Sequence, residues 1–92
     1  LARDAGMDAV ELHFGHGYLV SQFLSPYTNR RTDRWGGPYE NRMRLPLEIV
    51  TRLRQAVGRD FIVIFRLSML DLVPDGSSWA EVVELAQAVE AV

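Results

Sequence analysis

The 92 residues contain no cysteine. That excludes disulfides, thiolate metal sites and cysteine-ligated iron–sulfur clusters within them. A dominant charge is also lacking: ten basic against twelve acidic residues leave a net charge of −2. Nothing in that balance draws the chain toward nucleic acid or an anionic membrane. There is no spanning apolar segment, no internal repeat and no low-complexity tract. The opening Leu1-Ala2-Arg3-Asp4-Ala5-Gly6 has no apolar core behind a basic start, so it does not read as a signal peptide. Absent cysteine and absent signal together fit a cytoplasmic protein. What is present is ordinary for a globular chain, 48% hydrophobic and 24% charged, where disorder needs low hydrophobicity with high net charge.

Both ends read as interrupted elements. Leu1 to Gly6 resembles the tail of a helix closed by glycine, and Ala88 to Val92 stops inside a helical pattern. Between them, Asp8 to Phe14 alternates as a strand: Val10, Leu12 and Phe14 share one face, Glu11 and His13 the other. The aliphatic face is assigned to the helices. Gly15 to Gly37 is a long connection of the kind that usually carries function, with a short helical turn expected within Tyr18 to Leu24. Gly36-Gly37-Pro38 launches a helix whose apolar stripe is Met43, Leu47, Val50, Leu53 and Val57, ending at Gly58. Pro46 predicts a late start or a bend, because deeper in a helix it costs about 3 kcal/mol. Phe61 to Ser68 is a nearly continuous apolar run, as in a parallel strand covered on both faces. Arg66 interrupts it near its end. After the loop Met69 to Ser77, Ser78 and Glu81 form a capping box ahead of the stripe Val82, Leu85, Val89 and Val92.

The order is βαβα, which calls for parallel strands joined by right-handed crossovers. Four elements alone would leave one sheet face and both strand edges open. The expected architecture is therefore a part of a larger α/β domain.

Two constellations sit at or just past the strand ends, where α/β folds form their sites. The first is His13-Phe14-Gly15-His16-Gly17-Tyr18. Two imidazoles can donate hydrogen bonds to one carbonyl oxygen and stabilise the charge that develops there on reduction. A tyrosine hydroxyl is protonated at neutral pH and can deliver that proton to carbon. The bland alternative makes the histidines satisfied polar groups and Tyr18 a core aromatic. A metal held by Glu11, His13 and His16 is a weaker rival, since H-x-x-H lacks a clear third ligand. The second constellation is Arg66, a guanidinium that is expensive to bury unpaired. It can serve an anionic flavin edge or a substrate phosphate, or form an ion pair with Glu11 or Asp71.

The loop Asn29 to Gly37 mixes arginines with Trp35. Single-stranded nucleic acid is one reading, but Arg–Asp pairs pinning a loop is the simpler one. Glu48, Arg52, Arg54, Glu81, Glu84 and Glu90 read as solvated helix surface, and Trp79 as packing.

The runs Glu11 to Leu19, Gln22 to Pro26, Asn29 to Gly37 and Glu40 to Arg44, in this order, resemble the old yellow enzyme family. Phe65 to Val73 is similar to its 2,4-dienoyl-CoA reductase branch, whereas the His13/His16 pair is typical of its enone-reducing members. The resemblance implies that residues 1–92 are a partial FMN-binding (β/α)₈ TIM barrel, about two βα units, the fourth and fifth. It implies reduction of activated C=C bonds of enones or 2,4-dienoyl-CoA thioesters with NADH or NADPH. It assigns His13 and His16 to the substrate carbonyl, Tyr18 to protonation of the α-carbon, and Arg66 to the FMN ring. It leaves room for FAD and an iron–sulfur cluster elsewhere in a longer protein, and for a homo-oligomer. It implies neither a metal nor a nucleic-acid or membrane partner. The alternative is a truncated, non-catalytic barrel fragment without bound flavin.

Overall fold

A computed structural model describes residues 1–92. The elements run β1 (Ala9–Phe14), α1 (Leu19–Leu24), α2 (Tyr39–Arg42), α3 (Arg44–Val57), β2 (Ile62–Leu67) and α4 (Trp79–Glu90). The two strands pair in parallel, in a register that runs from Ala9 opposite Ile62 to Phe14 opposite Leu67.

That register decides what each sheet face presents. Leu12, Phe14, Phe65 and Leu67 meet the helices and join a core built on Phe14, Val20, Leu24, Val50 and Leu85. Phe14 and Phe65 close edge to face, with ring centroids 4.7 Å apart, the arrangement aromatic quadrupoles favour. The other face carries Ala9, Glu11 and His13 beside Ile62, Ile64 and Arg66. Ile62 and Ile64 are exposed there, so this face has no cover within the chain. The expectation of aliphatic side chains against the helices and an uncovered second face is borne out.

Local signals explain the element boundaries. Leu1 to Met7 closes as a glycine-terminated turn: Gly6 has φ +87°, its N–H donates to Arg3, and that of Met7 donates to Ala2. Those bonds are the paired signature of a Schellman cap. Gly58, at φ +81°, ends α3 in its turn. Pro46 stands third in α3, inside the first turn, where its missing N–H has no intrahelical partner to lose. The expected disruption is the break at Met43, which separates the four-residue α2 from α3. Pro46 itself is fully buried. The capping box at Ser78 is present in both directions.

Three side chains assigned to surface or packing behave otherwise. Trp79 is more than half exposed on this chain rather than packed. Arg54 turns back to donate to the carbonyls of Gly58 (3.0 Å) and Phe61 (2.8 Å), bracing the α3–β2 connection. Glu81 accepts from Arg42, whose side chain is buried. The Arg42 guanidinium donates to Gly37 O at 3.1 Å, Leu24 O at 2.6 Å and Glu81 Oε1 at 2.6 Å. It also lies 4.9 Å from the centre of the Tyr39 ring. Burial, with the Glu81 and Glu84 carboxylates, pushes the Tyr39 hydroxyl up to about 12 against the opposing Arg42 charge. A raised pKa favours the folded state while Tyr39 is protonated, and this contribution fades as pH climbs from the free tyrosine value toward that of the fold.

Arg42 therefore joins the end of α1, the glycine loop and the start of α4. Removing one partner of a buried ion pair strands the other. Arg42→Ala is expected to cost about 3 kcal/mol, read by chemical denaturation. A loss within the range of an exposed pair, under about 1 kcal/mol, would contradict this role.

Candidate functional site

The site forms where β1 ends. Phe14 is the last strand residue, and Gly15 lets the chain pass against β2: a Cβ at Gly15 would lie 2.7 Å from Ser68 Oγ and 3.1 Å from Ser68 N. His16 then adopts a left-handed backbone at φ +56°, followed by Gly17 at +75°. Non-glycine residues hold that conformation only when their surroundings impose it. Here the His16 N–H donates to Ser68 Oγ at 2.9 Å. On the far side, Gln22 Nε2 donates to Gly17 O at 2.8 Å. The turn is clamped from the residue after β2 and from helix α1.

This turn brings three rings together. His13 lies 5.0 Å from His16 and 5.2 Å from Tyr18 between ring centroids, both pairs edge-on. Gly15 N–H donates to His13 Nδ1 at 3.2 Å. With Nδ1 accepting, the neutral imidazole carries its proton on Nε2 and presents a donor. Tyr18 is 63% exposed, so the core-aromatic reading of that residue does not hold.

On β2, Arg66 stands opposite His13 in the register. Its nearest carboxylate is Glu11, at 3.7 Å, with both side chains about half exposed. That contact is too long for a hydrogen bond, so the guanidinium donors stay available on the same face as His13. Asp71, the other partner considered, is committed elsewhere. It accepts from Ser25 Oγ at 2.6 Å and from Ser77 N–H at 2.9 Å. Glu11, His13 and His16 do not converge, and no group of three His, Asp or Glu side chains could hold a metal ion.

A cavity of about 330 Å³ runs behind the turn, between the start of α1 and the loop after β2. It is lined by His16, Gln22, Tyr27, Ser68, Leu70 and Asp71 among others. The loop Asn29 to Gly37 is held by local bonds, as the Arg–Asp reading expects. Asn29 Nδ2 donates to Phe23 O and Trp35 O, at 2.7 and 2.8 Å. Arg31 pairs with Asp33, whose carboxyl it holds below the usual range, and Arg34 stacks on Trp35.

The family model described as NADH:flavin oxidoreductase / NADH oxidase matches residues 1–92. The chain belongs to that family. It is 47% identical over 89 residues to the NADH oxidase of Thermoanaerobacter brockii, covering 97% of this chain and 14% of that protein. It is 40% identical over 88 residues to the multifunctional alkene reductase/demethylase OYE of Caballeronia cordobensis, covering 96% of this chain and 12% of the relative. Among solved structures, a 2-naphthoyl-CoA reductase in complex with 2-naphthoyl-CoA superposes with a TM-score of 0.93 at 42% identity. That match covers 97% of this chain and 14% of the reductase. The chain thus spans about a seventh of the length of such relatives. It is an α/β segment matching part of the TIM-barrel enzymes of the old yellow enzyme type, and its family description implies flavin and NADH. No helix is long and apolar enough to cross a membrane.

The structure brings His13, His16 and Tyr18 around one turn and sets Arg66 opposite His13. Ser68 and Gln22, which clamp the turn, carry no role in the residue-by-residue reading. Ser68 meets His16 across 52 positions, while Gln22 reaches Gly17 across only five.

The two glycines around His16 have separable roles. Gly15→Ala is expected to destabilise by about 1–3 kcal/mol, because its Cβ would crowd the Ser68 hydroxyl at 2.7 Å and the Ser68 backbone N at 3.1 Å. Gly17→Ala faces open space and is expected to cost only the left-handed penalty of about 1 kcal/mol. Thermal denaturation of the two variants checks the order; a more harmful Gly17→Ala would contradict the tight Gly15–Ser68 contact.

Proposed function

We propose that this segment supplies the substrate-side wall of an FMN-dependent reductase that uses NADH or NADPH to reduce activated C=C bonds of enones or 2,4-dienoyl-CoA thioesters. The observation that carries the reading is the placement of His16 and Tyr18 at 5.0 and 5.2 Å from His13 between ring centroids, with Arg66 opposite His13 on the same sheet face.

The residues present fit a flavin by the chemistry of their donors. A flavin ring has a carbonyl-bearing edge that becomes anionic on reduction. Arg66 offers a permanent positive charge and unspent N–H groups, and this sheet face is uncovered. Arg66 would hold that edge. When bound, FMN supplies hydride for the β-carbon of the alkene, replenished from the nicotinamide.

Adding hydride to the β-carbon pushes charge through the conjugated system onto the carbonyl oxygen. His13, through its Nε2–H, and His16 hold that oxygen and stabilise the charge. Tyr18 Oη transfers its proton to the α-carbon and is reprotonated from solvent. One hydride and one proton saturate the double bond. The segment would form the fourth and fifth βα units of the barrel, as one part of its FMN-binding domain, in a cytoplasmic protein able to form homo-oligomers. The relatives that act on alkenes and on an aryl-CoA thioester favour the two substrate classes named. Any FAD or iron–sulfur centre would lie outside these residues.

The proton-donor role predicts a split between half-reactions in the full-length flavoprotein. Tyr18→Phe is expected to slow alkene reduction about 100-fold or more while flavin reduction by NAD(P)H keeps its rate, both followed by stopped flow. Equal losses in both half-reactions would remove Tyr18 from protonation. Arg66→Ala is expected to release FMN on dialysis; undiminished retention would leave Arg66 as the partner of Glu11 alone.

A further inference from the structure

We propose that Ser68 is a positioning residue for substrate, acting through His16. This rests on the reading of His16 as a carbonyl-binding group. Three observations meet at one point. His16 is held in a left-handed conformation at φ +56°. Its N–H donates to Ser68 Oγ at 2.9 Å. The adjoining Gly15 packs so closely on Ser68 that a Cβ there would lie 2.7 Å from the same Oγ.

Ser68 follows directly on the last residue of β2. The loop beyond it is tied down at Asp71, which takes hydrogen bonds from Ser25 and Ser77. Gly76 lies against the Asp71 carboxylate, 2.6 Å from Cγ for a Cβ placed on it. The hydroxyl therefore projects from between the end of β2 and an anchored loop. By accepting from His16, Ser68 sets the backbone angle there and with it the direction of the imidazole. Both residues also line the cavity behind the turn. The device links the end of β2 to a substrate-binding group that β1 carries.

Without the acceptor, the left-handed turn loses its support and the imidazole samples other directions. Carbonyl binding weakens. The test is a double-mutant cycle in the full-length holoenzyme with 2-cyclohexenone as substrate. Ser68→Ala is expected to raise KM about ten-fold, the scale of one lost hydrogen bond. Ser68→Thr, which retains the acceptor oxygen, should restore KM. In a His16→Ala background, Ser68→Ala should add nothing, because its effect travels through the missing ring. An equal KM increase with and without His16 would overturn the proposal, as would a fall in melting temperature with KM unmoved. If His16→Ala alone leaves KM unchanged, the reading of the site fails and takes this inference with it. If His16→Ala raises KM and Ser68→Ala does not, only the role of Ser68 is lost.

Discussion

The buried guanidinium of Arg42 is the constraint on which the rest of the arrangement depends. It satisfies the carbonyl of Leu24 at the end of α1, the carbonyl of Gly37 in the loop, and the Glu81 carboxylate at the start of α4. Glu81 in turn accepts from the Ser78 N–H through its other oxygen, so helix capping and ion pairing share one side chain. A buried charge is tolerable only when its donors are met and a counter-charge is near; here both conditions hold. The short helix α1 that follows the His16 turn is thereby tied to the start of α4. Loop, turn and strand ends then keep a fixed relation although the sheet has only two strands.

From that frame the site follows by short steps. Parallel register places His13 and Arg66 side by side. The close pass of Gly15 over Ser68 lets β1 turn sharply, and the left-handed His16 swings its ring toward His13. Polar groups with donors to offer gather at the C-terminal ends of the strands, on the face that the helices do not cover. That is where α/β folds bind ligands, and it agrees with the flavin oxidoreductase family to which the chain belongs.

Much of this was legible in the residue order. Alternation in β1, the stripe of α3, the capping box at Ser78 and the terminator Gly58 are local signals, read within a few positions. His13 and Arg66 stand out as polar groups near the ends of apolar strands, and His16 and Tyr18 as polar groups in the glycine turn just past β1. What escaped was non-local. Arg42 and Glu81 are 39 positions apart and each looks like helix surface by periodicity. Ser68 has no pattern of its own. Pro46 was ambiguous between a late start and a bend until the break at Met43 placed it in a first turn. Trp79, at the start of a helix, reads as packing, yet it is more than half exposed on this chain.

The most direct test of the central claim is the anaerobic visible spectrum of the full-length protein from its source, recorded through one turnover. A yellow protein that bleaches with NADH or NADPH and regains its colour when 2-cyclohexenone or a 2,4-dienoyl-CoA is added is the predicted result. A protein without flavin, or one whose bleached flavin neither acceptor reoxidises, would contradict the account.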